Sequence, residues 1–310
     1  MTRSPLDILN PMGPAAAEIS PLLWALLWLS VVVVALIAGA VVGGVIARRA
    51  RERDPAKAGV INSPGRVVWV YVATGVSTAI LIGFTGWTLV TMAQSAPRTP
   101  PALTIDVSAR QWWWSFGYEP AAGAQGFVTA NEIHIPVGRP VRFLLTSPDV
   151  IHSFWLPALG GKTDVIPGRT NETWLEADKP GTYRGQCAEY CGVEHAEMAL
   201  LVVAEPEADF EGWRARQAVP ASATGAEVFV ARCGECHTVR GTPAAGTKGP
   251  DLTHLMSRST IAAGMLADTI GNLGGWVANP QGLKPGAKMP NVNLSGPDLQ
   301  AVLTYLETLS

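Results

Sequence analysis

Two long stretches without a charge open the chain, and the residues after them change texture. Residues 21–47 and 67–97 contain no Asp, Glu, Lys or Arg. Each exceeds the roughly 20 apolar residues with which a helix crosses a bilayer. Trp24, Trp28, Trp69, Tyr71 and Trp87 lie near their ends, as interfacial aromatics do. The pattern predicts transmembrane helices over about 21–47 and 67–93 inside a hairpin of residues 21–97. Residues 1–20, with Pro5, Pro11, Gly13 and Pro14, read as an extended lead-in. The first stretch is long, and its basic residues follow it, which argues against a cleaved signal peptide. No cysteine lies near it, which speaks against a lipoprotein anchor.

From residue 98 the period shortens. Leu103–Ser108, Glu132–Ile135, Val141–Leu145, Glu172–Glu176 and Met198–Val203 alternate apolar and polar positions. Turns such as Pro136-Val-Gly138, Ile166-Pro-Gly168 and Lys179-Pro-Gly181 separate them. Short alternating runs between Pro/Gly turns predict an antiparallel sandwich or barrel over residues 98–204. Residues 205–221 are charged and alanine-rich and read as a linker, partly helical. The remainder, 222–310, reads as helical. Ser295-Gly-Pro-Asp298 is a cap pattern, and Leu299, Val302, Leu303 and Leu306 follow at helical spacing.

Composition and charge agree with this layout. Hydrophobic residues make up 48% and charged ones 15%, a balance that leans toward a membrane protein. A net charge of -2 gives no reason to expect nucleic acid. Between the apolar stretches, residues 48–66 hold Arg48, Arg49, Arg51, Arg53, Lys57 and Arg66 against Glu52 and Asp54. A short basic loop stays on the cytoplasmic side. The N-terminus and everything after residue 98 are therefore expected on the periplasmic or equivalent side.

The four cysteines form two pairs, each beside a histidine. Cys187-Ala-Glu-Tyr-Cys191-Gly-Val-Glu-His195-Ala-Glu-Met198 collects two thiols, an imidazole and a thioether in twelve residues. Such soft and borderline donors suit copper and not magnesium or calcium. A disulfide is the alternative, but it would leave His195 and Met198 unused. His152, just after an apolar strand, is the candidate for a further ligand, and the enlarged set has enough donors for two coppers. The second pair, Cys233-Gly-Glu-Cys236-His237, is the spacing of covalent haem c attachment, with His237 on the iron. Zinc is the alternative, but no second C-x-x-C or H-x-x-x-H lies nearby. Met256, Met265, Met289 and His254 are candidates for the other axial position. Met289, in Lys288-Met289-Pro290 before the last helix, is favoured; Met256 and Met265 read as core and His254 as a hydrogen-bonding residue.

Residues 103–204 resemble the cupredoxin domain of cytochrome c oxidase subunit II, and the two preceding helices match its membrane hairpin. The last 90 residues resemble a class I cytochrome c. Gly249-Pro250-Asp-Leu252 is similar to the segment that packs beside the proximal histidine, and Phe229 and Tyr305 stand where the first and last helices meet. The resemblance implies an all-β cupredoxin sandwich or barrel between a transmembrane hairpin and an all-α haem domain. It implies a binuclear CuA centre held by His152, Cys187, Cys191, His195, Met198 and the Glu189 backbone carbonyl. The Glu189 side chain would reach a magnesium shared with subunit I. Gly161–Arg169 is similar to a family segment at that interface, with Asp164 and Arg169 facing subunit I. Gln111–Tyr118 resembles a segment whose first tryptophan, Trp112 here, is where electrons enter; Trp113 and Trp114 are expected to pack the core.

The implied partners are subunit I, with subunit III, membrane lipid, and a cytochrome c or bc-type donor, in a bacterial inner membrane. The implied activity is that of an electron-transfer subunit of a proton-pumping oxidase. One departure and three rivals bear on this. Residues 61–69 hold no carboxylate, where many members place one at the mouth of a proton channel, and Arg66 stands near that place. A nitric oxide reductase also uses a CuA subunit. A quinol oxidase subunit would lack the copper ligands, and a copper-binding assembly factor would not need haem c.

Overall fold

The computed structural model describes residues 6–53, 66–101, 103–120 and 125–310. It divides into two units, Glu18–Ala96 and the combination of Met1–Ala17 with Pro97–Ser310.

In the first unit, α1 spans Pro14–Glu52 and α2 spans Arg66–Gln94. Within them Pro14–Ala50 and Val67–Gln94 are long and apolar enough to cross a membrane. Helix α1 begins seven residues before the predicted start and takes up part of the expected lead-in. Proline is pre-organised for a first helical turn, and Ala15–Ala17 are strong helix formers. Pro21 sits inside the helix. The far end of α1 runs beyond Ala47, where Arg48 and Glu52 pair at 2.8 Å one turn apart. Residues 54–65, with Lys57 and most of the segment that lacks a carboxylate, lie outside the described residues.

The second unit begins with a sandwich of ten strands: β1 Leu103–Arg110, β2 Trp113–Tyr118, β3 Phe127–Ala130, β4 Glu132–Pro136, β5 Val141–Thr146, β6 His152–Trp155, β7 Thr163–Val165, β8 Asn171–Leu175, β9 Gly181–Cys187 and β10 Ala199–Glu205. They form two five-stranded sheets, ordered β3-β2-β1-β5-β8 and β4-β10-β9-β6-β7. Alternation decides the core. Ile105, Val107 and Ala109 of β1, Trp114 and Phe116 of β2, and Val141, Phe143 and Leu145 of β5 are fully buried, while their neighbours face outward.

Strand β4 breaks the rule, since all five residues are buried, Glu132 and His134 included. The polar face is covered by α3, Glu207–Ala218, which occupies the expected linker. Phe210 and Trp213 of this helix enter the sandwich core. The Trp213 ring stacks on His134 at 4.1 Å and meets Tyr118 and Phe127 edge-on. The residues read as a linker are thus a docked core helix. Phe210, Trp213 and Gln217 share one face at helical spacing, and the charges around them occupy the other faces.

The last part has its own core, in which Phe229, Leu273, Val302, Tyr305 and Leu306 are buried. Its helices are α4 Glu227–Cys233, α5 Ile270–Ala278, α6 Pro280–Leu283 and α7 Gly296–Leu306. Ser295 caps α7 by accepting from the Asp298 N–H. The Phe229 and Tyr305 rings meet at 5.5 Å and join α4 to α7. Met265 lies in the turn between two short strands, Thr260–Ile261 and Leu266–Ala267, and not on a helix; Gly264 at φ +79° makes that turn.

Candidate metal centres

Strand β9 ends in Cys187, β6 begins with His152, and the loop from β9 to β10 carries Cys191, His195 and Met198. The Cys187 N–H donates to the Met198 carbonyl at 3.0 Å, so the strand pair closes the loop on itself. Cys187 Sγ lies 3.8 Å from Cys191 Sγ and 3.8 Å from His152 Nδ1. Cys191 Sγ lies 3.6 Å from His195 Nδ1 and 3.9 Å from Met198 Sδ. The Glu189 carbonyl accepts from Cys187 Sγ at 3.3 Å. Ligand atoms of His152, Cys187 and Cys191 fall within 4.8 Å of one another, all three residues buried. Neither cysteine is in a disulfide. His152, Cys187 and Cys191 therefore meet at one point, with His195 and Met198 against Cys191, and the soft character of the set fits copper.

The surroundings orient these donors. His152 Nε2 pairs with Asp149 at 2.9 Å, which leaves Nδ1 facing the cysteines. Burial opposes charge on His152, but Asp149 and Cys187 outweigh it and raise the imidazole's pKa. Burial likewise opposes the Asp149 carboxylate, yet His152 and the Gln111 and Val150 N–H groups bring it down to about 2. The two thiols compete for one proton. Hydrogen bonding with Cys191 holds Cys187 well below the usual thiol range, and the same contact pushes Cys191 up. Asp149 was not singled out in the sequence, although its place three residues before His152 was the available signal.

The Cys191 carbonyl accepts from Gln111 Nε2 at 2.7 Å and from Trp112 Nε1 at 3.0 Å. Gly192 makes room for this. A Cβ there would stand 2.9 Å from Trp112 Cζ2, and its φ of +120° suits glycine alone. Trp114 packs in the core, edge-on to Phe154 at 5.6 Å. Trp113 does not share that role. It is half-buried, lies under the Arg110 guanidinium and faces a cavity. Strand alternation turns it to the opposite side from Trp114.

That cavity, about 350 Å³, is the second site. Cys236, His237, Pro250, Trp276 and Met289 contribute to its wall, and Gln111, Trp112 and Trp113 reach it from the sandwich. His237 Nδ1 pairs with the Pro250 carbonyl at 2.9 Å, which leaves Nε2 for a ligand. Gly249 packs against the ring, where a Cβ would stand 2.6 Å from Cε1. Burial lowers the His237 pKa and favours the neutral, ligating form. Burial also pushes the Cys233 thiol up to about 11. Of the other axial candidates, Met289 lines the cavity and Met256 packs in the helical core. His254 has both ring nitrogens engaged, with the Ser310 and Val219 carbonyls at 2.9 and 2.8 Å.

Two orphaned polar atoms also line the cavity. Arg258 Nε and Thr260 Oγ1 are buried without a partner. Arg258 Nη2 donates to the Asp251 carbonyl, and burial lowers the guanidinium's pKa against the opposing Asp251, Glu132 and Asp268 carboxylates, so only Nε is left toward the chamber. Haem carries carboxylates, so the cavity, the thiol pair, the free imidazole nitrogen and these donors fit haem. Sequence reasoning missed Arg258 and Thr260, because neither lies in a motif with the cysteines.

The haem-type domain and the sandwich are joined at several points. Glu132 accepts from the Ser259 N–H at 2.9 Å and from the Ser259 hydroxyl at 2.5 Å. The Ala199 N–H donates to the Ala263 carbonyl at 3.1 Å. Lys288 places its ammonium 5.5 Å from the Trp112 ring centre.

Comparison with known proteins agrees with both halves. Residues 121–205 match the family model described as cytochrome C oxidase subunit II, periplasmic domain, and residues 222–310 match the model for cytochrome c. "Cytochrome c oxidase subunit 2" of Alkalihalophilus pseudofirmus is 42% identical over 214 residues, which cover 66% of this chain and 60% of that protein. "Probable cytochrome c oxidase subunit 2" of Rickettsia bellii is 33% identical over 222 residues, 66% of this chain and 80% of that protein. The crystal structure of the periplasmic domain of subunit II of cytochrome oxidase (CoxB) of Bradyrhizobium japonicum is 38% identical, covering 38% of this chain and 96% of that one at a TM-score of 0.35. With the copper-type loop closed on β6, β9 and β10 and a cytochrome c domain following it, the chain belongs to the cytochrome c oxidase subunit II family.

Proposed function

We propose that this chain is the electron-entry subunit of a haem–copper terminal oxidase. Its residues would hold haem c and a binuclear CuA centre, by which electrons from an external cytochrome c-type or bc-type donor would reach subunit I. There oxygen is reduced to water with proton pumping. When bound, the haem iron and the copper pair each take up and release a single electron, and no bond to substrate forms on this chain.

Cys233 and Cys236 would hold the haem covalently, with His237 and Met289 as its iron ligands. Arg258 and Thr260 would meet its carboxylates. His152, Cys187, Cys191, His195, Met198 and the Glu189 carbonyl would hold copper. The Glu189 side chain, half-buried beside that carbonyl, offers a ligand to a magnesium shared with subunit I. Asp164 on β7 and Arg169 in the turn after it are both exposed, as an interface with subunit I requires. The two apolar helices anchor the chain in a bacterial inner membrane, beside subunits I and III and lipid, with both redox domains outside.

The observation that carries this reading is the position of Trp112. Trp112 forms part of the wall of the cavity that His237 and Met289 also line, and its indole N–H donates to the carbonyl of Cys191. A single residue thereby touches both candidate redox sites. Trp112→Phe keeps an aromatic ring, smaller than the indole, and removes the hydrogen bond. Transfer from photoreduced haem to copper should slow several-fold in this variant while the copper EPR signal persists; an unchanged rate would sink the Trp112 route. Copurification decides the wider reading. The large subunit that accompanies this chain should consume oxygen, and consumption of nitric oxide alone would favour a reductase.

A further inference from the structure

Lys284 follows α6, five residues before Met289, and is 4% exposed. It lies on the cavity wall, and its ammonium passes out of the haem-type domain. The ammonium donates to the Glu197 carbonyl at 2.7 Å, the Trp112 carbonyl at 3.3 Å and the Ala262 carbonyl at 3.3 Å. An ammonium has three protons, and three carbonyls receive them. Two of the acceptors belong to the sandwich and one to the lysine's own domain.

The two sandwich acceptors have a particular position. Glu197 immediately precedes Met198 in the copper loop. Trp112 is the residue whose indole holds the Cys191 carbonyl. The loop that bears Lys284 adds two more contacts to this region. Gly286 lies so close to Val193 of the copper loop that a Cβ would stand 2.9 Å from its Cγ2. Lys288 places its ammonium over the Trp112 ring. Burying an ammonium is costly unless its donors are met, and here two of the three are met only when the domains are docked. Ser259 with Glu132, Gln217 with Ser257, and Arg110 with the Thr247 carbonyl tie the domains together elsewhere. Those ties hold the domain on the sandwich, and Lys284 sets where its haem-facing edge meets the copper loop.

We propose that Lys284 is a positioning residue for electron transfer, its ammonium pinning the haem-type domain to Trp112 and the copper loop and so fixing the spacing between the two redox sites. The proposal rests on the assignment of those sites given above. It explains why a cation is buried at a place where an apolar side chain would leave three carbonyls without a donor.

The test uses the full chain, purified with both metals, as Lys284→Met, Lys284→Gln and Lys284→Arg. Hydrogen exchange read by mass spectrometry reports docking directly, because the Ala199 N–H donates to Ala263 across the same seam. In K284M exchange around Ala199 should rise on the order of tenfold or more, since truncating one partner of a buried charged hydrogen bond at an interface shifts its equilibrium at least that far. Transfer from photoreduced haem to copper should slow several-fold, with the haem spectrum and copper EPR signal unchanged. K284R, which keeps the charge and donors, should recover part of both. Unchanged exchange and transfer in K284M would overturn the proposal. Loss of either metal signal in K284Q would also overturn it, by making Lys284 a support of one site. Slow transfer in K284M beside normal transfer in W112F would keep Lys284 and reject the Trp112 route; the converse would reject Lys284 and keep the route.

Discussion

The proposed copper loop and the proposed haem cavity would hold a redox metal in opposite ways. At the copper loop, backbone does the assembly. Strands β6, β9 and β10 bring His152, Cys187, Cys191 and Met198 together through successive contacts of 3.8 to 3.9 Å, above a buried sandwich core. At the haem site, short helices surround a chamber of about 350 Å³, and the groups that would touch the cofactor are spread around its wall. The first site is a point defined by strand pairing; the second is a volume defined by packing. Small changes should therefore act on different observables, metal binding in one and domain stability and ligation in the other.

Removing a bridging thiol should produce the largest effect. Cys191→Ser is expected to abolish the mixed-valence EPR signal of two equivalent coppers, while far-UV circular dichroism keeps the sandwich signature, because the core beneath the loop does not depend on the metal. A persistent two-copper signal would break the comparison at its root. An intermediate effect is expected at the haem. Met289→Ala should convert the ferrous haem to a high-spin or ligand-exchanged spectrum without releasing it, since attachment is through Cys233 and Cys236. An unchanged spectrum would remove Met289 from the axial position and return it to Met256 or Met265.

The smallest effect concerns a carboxylate at the edge of the haem-type domain. Burial raises the pKa of Asp268 from 3.8 to about 6, against the opposing influence of Arg258, and neither of its oxygens has a partner. A raised carboxylate means that the folded state holds the proton more tightly than the unfolded state. Stability from this group is present below about pH 4 and falls as pH rises toward 6, flattening above it. After discounting for solvent screening of a half-exposed residue, the change is about 1 kcal/mol. Asp268→Asn should remove that slope from the thermal melting curve between pH 4 and pH 6. An identical slope in the variant would assign it to another group.

Much of the architecture was legible from local pattern. Charge-free runs mark the two helices, alternation marks strands such as β1, β5 and β8, and each metal motif is compact enough to read as a string. The missed features share a physical cause. Helix α3 looks like a linker because its charges outnumber its aromatics; only the polar face of β4, needing cover, shows that Phe210 and Trp213 are core. Trp113 and Trp114 are adjacent and identical in kind, and the pleat alone sends one to the core and the other to the cavity. Arg258 and Lys284 belong to no motif, and their meaning depends on acceptors brought near by folding.

The sequence by itself determined the donor chemistry, because ligand type and spacing within one loop or one turn are covalent facts. It also determined the membrane segments, since twenty uncharged residues have few other uses in a helix. Tertiary structure alone decided that Trp112 stands between the two sites, and that Lys284 reaches Trp112 and Glu197 across 172 and 87 residues of chain. The reason is that a hydrogen bond is a relation between two positions in space. Only the packing of the haem-type domain on the sandwich makes those positions neighbours.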